Sequence, residues 1–147
     1  MAIINIYLHS EGNTEEAFNF YKSIFGGEFC TFVRYSDMPD QSGFGEVSDG
    51  EKAKIMHVAL PIGGGNTLMG GDTLESMRHE INTGNNFSIS ISTESKEETE
   101  RIFNGLTVGG KVTMPLAKTF WSEYFGMCVD KFGIRWMVNF DIGGVKS

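Results

Sequence analysis

Two stretches of this chain repeat one another. Asn13 and Glu16 stand at the spacing by which a helix closes its first turn on its own side chains, and Ser95 and Glu98 stand at the same spacing. Ile102, Phe103 and Leu106 follow Phe20, Tyr21 and Ile24 at a constant interval of 82 residues, and Gly109–Gly110 close the second stretch as Gly26–Gly27 close the first. Around these helices the apolar pattern predicts strands at Ile3–His9, Glu28–Tyr35, Ala53–Ile62 and Asn66–Gly71. It predicts the same again at Phe87–Ser92, from Lys111 to Met114, at Tyr124–Asp130 and at Ile134–Phe140. Long loops are expected over Ser36–Gly50 and Asp72–Asn85, the second with a helical turn. Each half reads strand, helix, strand, strand, strand. The expectation is one domain over 1–147, with module one at about 1–75 and module two at about 84–147.

A helix lying on a sheet requires an apolar sheet face beneath it. Ile4, Ile6 and Leu8 supply that face in the first strand, and Phe87, Ile89 and Ile91 supply it in the corresponding strand of the repeat. The opposite faces then carry Asn5, Tyr7 and His9, and Ser88, Ser90 and Ser92. The fold class this implies is α+β: two βαβββ modules forming a curved mixed sheet around a cup, with helices on the outer face. A concave place with a few fixed polar groups suits a small molecule.

The chain carries 12 Lys and Arg against 19 Asp and Glu, a formal charge of −7, with no basic cluster. No nucleic acid is expected as partner, since phosphate backbones are bound by concentrated positive charge. No apolar run approaches the ~18 residues that span a bilayer, so no membrane partner is expected. Met1–Asn5 lack the basic flank and apolar core of a signal peptide, and the two cysteines, Cys30 and Cys128, cannot build a disulfide scaffold. A cytoplasmic protein is the expectation. Gly63–Gly65 join strand to strand, whereas phosphate cradles join a strand to a helix N-terminus. No GxGxxG opens a βαβ unit, which leaves no seat for a nucleotide or S-adenosylmethionine fold. The cysteines form no CxxC pair, and no Ser/His/Asp order suggests a hydrolase.

Several motifs carry a family resemblance. They are Asn5–Leu8, Thr14–Tyr21 followed by Phe25–Gly27, Lys54–Val58, Thr67–Asp72, Thr119–Trp121, Tyr124–Gly126 and Asp130–Trp136. Through them the whole chain resembles the vicinal oxygen chelate superfamily, the glyoxalase/bleomycin-resistance/dioxygenase proteins. It is similar in particular to the PhnB-like branch, labelled after a 3-demethylubiquinone methyltransferase domain. The resemblance implies paired βαβββ modules and a homodimer. It also implies that metal-using relatives take one ligand, mostly His or Glu, from the first and last strand of each module. Carried onto this chain, those positions are Asn5, Met69, Ser88 and Met137. Amide, hydroxyl and thioether make a poor cage for a hard or borderline divalent ion, and thioether suits soft ions such as Cu(I). No metal and no cofactor are therefore expected. The competing source of ligands is His9, His57 and Glu46, with His79 expected in solvent.

Tyr7, Met69, Phe120, Trp121 and Met137 are the candidate apolar wall of a ligand site, and Asn5, Ser88 and Arg135 the candidate polar groups that orient the ligand. Methionines mould around a ligand and aromatics stack on it. Arg34 is either a second anchor or half of an ion pair, and Trp136 is expected in the core. The favoured function is a small-molecule binding or sequestering protein of the glyoxalase/bleomycin-resistance type. The alternatives are a metal-dependent isomerase, dioxygenase or thiol transferase, and a non-catalytic dimer module whose cup is filled by side chains. The methyltransferase label finds no support in these residues.

Overall fold

The structure is a computed structural model and describes residues 2–38, 47–77 and 80–141. It divides into two compact units, Met1–Ile81 and Asn82–Ser147. Unit one runs β1 (Ile6–Ser10), α1 (Thr14–Phe25), β2 (Thr31–Arg34), β3 (Ile55–Gly63) and β4 (Asn66–Asp72). Unit two runs β5 (Ile89–Thr93), α2 (Lys96–Leu106), β6 (Lys111–Ala117), β7 (Tyr124–Val129) and β8 (Arg135–Phe140). The sheet orders are β1-β4-β3-β2 and β5-β8-β7-β6, the same permutation twice. In each, the first strand pairs parallel to the last and the others pair antiparallel. The α+β class and the duplicated βαβββ order are as the sequence predicts.

Each helix lies on one face of its own sheet. Thr14, Ala17, Phe18, Tyr21 and Ile24 are the buried residues of α1, and Thr99, Ile102, Phe103 and Leu106 those of α2. Phe18 rather than Phe20 joins Tyr21 as a buried ring of α1, since Phe20 is only half-buried. The strand floor repeats with its residues exchanged. In unit one Val58 of β3 faces Gly70 of β4, and in unit two Gly126 of β7 faces Val138 of β8. A Cβ on Gly70 would stand 2.6 Å from the Phe18 ring, and one on Gly126 2.8 Å from the Phe103 ring. One strand of the pair supplies the branched side chain and the other the empty space into which the helix ring drops.

Several details differ from the sequence reading. Ile4 and Phe87 were expected beneath the helices but are 83% and 64% exposed. The paired strands begin two residues later, at Ile6 against Leu68 and Ile89 against Trp136, so both side chains fall beyond the floor that the helices cover. β2 is shorter than Glu28–Tyr35, because the chain leaves it for a single helical turn at Tyr35–Asp37. Asn13 makes no side-chain cap bond, and its place is taken by Asp72 from β4. The expected helical turn after β4 is present at Glu75–Met77. Trp136 is fully buried, with its indole N–H donating to Asp130 Oδ2 at 2.8 Å.

Candidate functional site

The faces turned away from the helices carry the candidate residues. On sheet one, register sets Tyr7 beside Met69 and His9 beside Gly71. Val33 stands beside His57, and Met69 beside Ala59. Gly71 has no side chain, and a Cβ there would lie 2.6 Å from Tyr7 Oη. The phenol therefore lies across the glycine between the two imidazoles. Its ring centroid is 4.9 Å from that of His9 and 5.6 Å from that of His57, the latter nearly parallel at 17°. Its hydroxyl donates to the Met56 carbonyl at 3.3 Å. Burial, reinforced by the Asp72 carboxylate, raises the phenol above the ordinary tyrosine value. Tyr7 is thus a neutral stacking surface at physiological pH, its hydroxyl hydrogen held by the Met56 carbonyl, and it is 37% exposed.

Asn5 lies just before β1, exposed, and its Oδ1 accepts the Thr67 N–H at 3.3 Å. Unit one therefore brings Asn5, Tyr7 and Met69 together on one face. His9 joins them, as alternation along β1 predicts, and so does His57, which sequence spacing alone does not reveal: the signal is the cross-strand register through Gly71.

On sheet two the away face carries Ser90 and Ser92 of β5 beside Met137 and Asn139 of β8. Arg135, Met137 and Asn139 pair in turn with Val129, Met127 and Phe125 of β7. Ser88 precedes β5 and is half-buried. Trp121 stacks edge-on against Phe125 at 5.6 Å, and Phe120 against Trp121 at 4.7 Å. Both are open to solvent, Phe120 at 97% and Trp121 at 51%. Among the described residues, the Arg135 Nε is the buried side-chain polar atom that has no hydrogen-bond partner. Phe125 and Met127 belong to this face and escaped the sequence reading, since strict alternation places them but does not say which strand neighbours them.

Arg34, by contrast, is committed elsewhere. Its guanidinium donates to both Glu15 carboxylate oxygens of α1, at 2.9 and 2.8 Å, and to the Ala53 carbonyl at 2.8 Å. This fork lowers the Glu15 carboxyl below the ordinary range. Arg34 is the ion-pair half of the two readings.

The divalent ion that metal-using relatives of the resembled superfamily hold does not fit the donors. Asn5, Met69, Ser88 and Met137 provide no imidazole and no carboxylate, and the Asn5 oxygen is already bonded within its own sheet. Among the described residues, no three of His, Cys, Asp and Glu gather where they could hold a metal. Glu46 and His79 lie outside the described residues.

Residues 2–139 match the family model described as 3-demethylubiquinone-9 3-methyltransferase. The chain belongs to that family. It is 39% identical to PA1353 from Pseudomonas aeruginosa, a solved structure, with 96% of this chain and 98% of that one covered and a TM-score of 0.83. It is 28% identical to the PhnB protein from Bacillus cereus, over 95% and 99% of the two chains, with a TM-score of 0.72. A glyoxalase/bleomycin resistance protein/dioxygenase family enzyme from Burkholderia phytofirmans shares the fold at 14% identity, over 94% and 97% of the chains, with a TM-score of 0.60. The chain thus shares the fold of glyoxalase/bleomycin resistance/dioxygenase proteins and is similar over nearly its whole length to a PhnB protein. Among the described residues no helix is long and apolar enough to cross a membrane.

Proposed function

We propose that this protein binds or sequesters a small molecule, as a cytoplasmic homodimer, without the divalent ion its superfamily is known for. The observation that carries the reading is the Tyr7 ring set between His9 and His57 over Gly71. A flat, half-exposed phenol flanked by imidazoles offers a stacking surface together with hydrogen-bonding edges, the mixture that small-molecule sites use. Met69 beside it adds adaptable apolar surface, and Asn5 on the same face a polar group. Unit two offers a similar mixture by itself, with Trp121 stacked on Phe125, Met137 on β8, and Ser88 and Arg135 as polar groups, and the free thiols of Cys30 and Cys128 suit a reducing compartment.

The methyltransferase in the family's description has no matching chemistry on these faces. The glycine turn at residues 63–65 joins two antiparallel strands, so it presents no helix N-terminus to a nucleotide-like cofactor.

Isothermal titration with planar aromatic compounds and with phosphonates tests the reading. Saturable binding by the wild-type protein is expected, weakened about tenfold in Tyr7→Ala, in line with the ~0.5–1.5 kcal/mol of an aromatic pair. Titrations that stay flat for every probe favour a non-catalytic dimer module. Near-stoichiometric divalent metal in dialysed protein overturns the reading in favour of a metal-dependent isomerase, dioxygenase or thiol transferase.

A further inference from the structure

The register of sheet two brings three thioethers into one row. Met137 of β8 pairs with Met127 of β7, and Met127 pairs with Met114 of β6. Paired residues point to the same face of a sheet, and neighbouring strands lie about 4.8 Å apart. The three methionines therefore stand side by side on the face away from α2, with Ser90 of β5 ending the row. Met114 is 40% exposed, and Met127 and Met137 are half-buried. The row is thus reachable from solvent, through Met114 at one end and the exposed Ser90 at the other. β6 departs from regular pairing on both sides of Met114, which frees that residue from a strictly flat ladder.

A thioether has two lone pairs on a soft, polarizable sulfur and no charge to offer a hard ion. It selects soft cations such as Cu(I), whereas Mg²⁺, Ca²⁺ and Mn²⁺ prefer oxygen. The methionine side chain has three rotatable bonds, so three of them on adjacent strands can turn their sulfurs toward a common point. We propose that Met114, Met127 and Met137 form a three-sulfur site for one soft monovalent cation of the Cu(I)/Ag(I) class. The ion enters by exchanging its water for the sulfurs, with no electron transferred and no proton released. The proposal stands apart from the stacking surface of unit one. Organic probes can fail to bind while the cation binds, and the reverse.

Silver(I) is the probe, used as its nitrate in chloride-free buffer with the full chain carrying Cys30→Ser. That change removes the exposed thiol, which would compete for the ion. The Cys128 thiol is buried, and alternation along β7 sets it on the α2 face, across the sheet from the row. In protein labelled at the methionine methyl carbons, one equivalent of silver is expected to shift three methyl signals together. Those are the signals lost one at a time in Met114→Leu, Met127→Leu and Met137→Leu. Each leucine variant should bind silver at least tenfold more weakly, and Met38→Leu should bind it as before. Leucine keeps the apolar bulk, so a surface that merely lined a greasy pocket would not register the change. The labelled wild-type titration gives the answer even if a variant fails to fold. The inference is overturned if silver moves none of the three signals, moves only one, or binds the leucine variants undiminished. Bicinchoninate competition under anaerobic conditions should then place Cu(I) at the same three methyl groups, and Cu(I) that leaves them unmoved also sinks the proposal.

Discussion

At the scale of single residues, two carboxylates act as junctions. Asp72 Oδ1 accepts the Gly12 and Thr14 N–H groups and the Thr14 hydroxyl, while its Oδ2 accepts the Ile55 N–H. One buried side chain thus fastens the start of α1 to the entry of β3. Asp130 does the same in unit two, accepting the Phe132 and Ile134 N–H groups on Oδ1 and the Trp136 indole on Oδ2. Asp130 could be read as a turn residue from the Asp–Lys–Phe–Gly sequence, because its acceptors serve neighbours two and four residues on. The partners of Asp72 lie 17 to 60 residues away, beyond any local pattern. Cys128 gives this scale its pH dependence. Burial first, and then the Asp130 carboxylate, push its thiol up to about 11 from an ordinary value of 9.0. The folded protein keeps that proton where the unfolded chain has lost it. The stabilisation is whole below pH 9 and drains away as pH rises toward 11. Urea unfolding between pH 8 and 11 should show a loss about 2–3 kcal/mol smaller in Cys128→Ala than in the wild type.

The two helices, alike in sequence, are started by different means. Ser95 accepts the Glu98 N–H at 3.0 Å, and the Glu98 carboxylate reaches back to the Glu94 N–H at 2.9 Å. This is a local cap, legible from residue spacing. Asn13 stands at the same place before α1 and makes no such bond, because the Asp72 carboxylate already occupies the helix N-terminus. Matching spacing therefore hid a difference in mechanism. Ser95→Ala should cost about 1 kcal/mol of stability in chemical denaturation, the usual worth of an N-cap. Asn13→Ala should leave the midpoint nearly unchanged. Equal losses at the two positions would show that Asn13 is a working cap. The strands follow the same division. Alternation told inward from outward correctly at Leu8 and Ile89, yet it overran the strand starts at Ile4 and Phe87, where pairing rather than hydropathy sets the end.

At the scale of the whole molecule the duplicated unit is the main fact, and the sheet orders repeat without change. Sedimentation at micromolar concentration should give twice the mass of the chain, as the proposed homodimer requires; a monomer across the range would remove that element of the proposal. The repeat, the α+β class and the poverty of the metal positions follow from the sequence alone, because period, turn residues and donor chemistry are local properties. Which residues share a face across strands does not. Tyr7 joins His57 only because Gly71 leaves a gap between two strands, and three methionines fall into line only because β6, β7 and β8 pair in one register. Register is a property of how distant segments meet, set by turns, bulges and the helix packed on the far side, so the tertiary structure had to decide it.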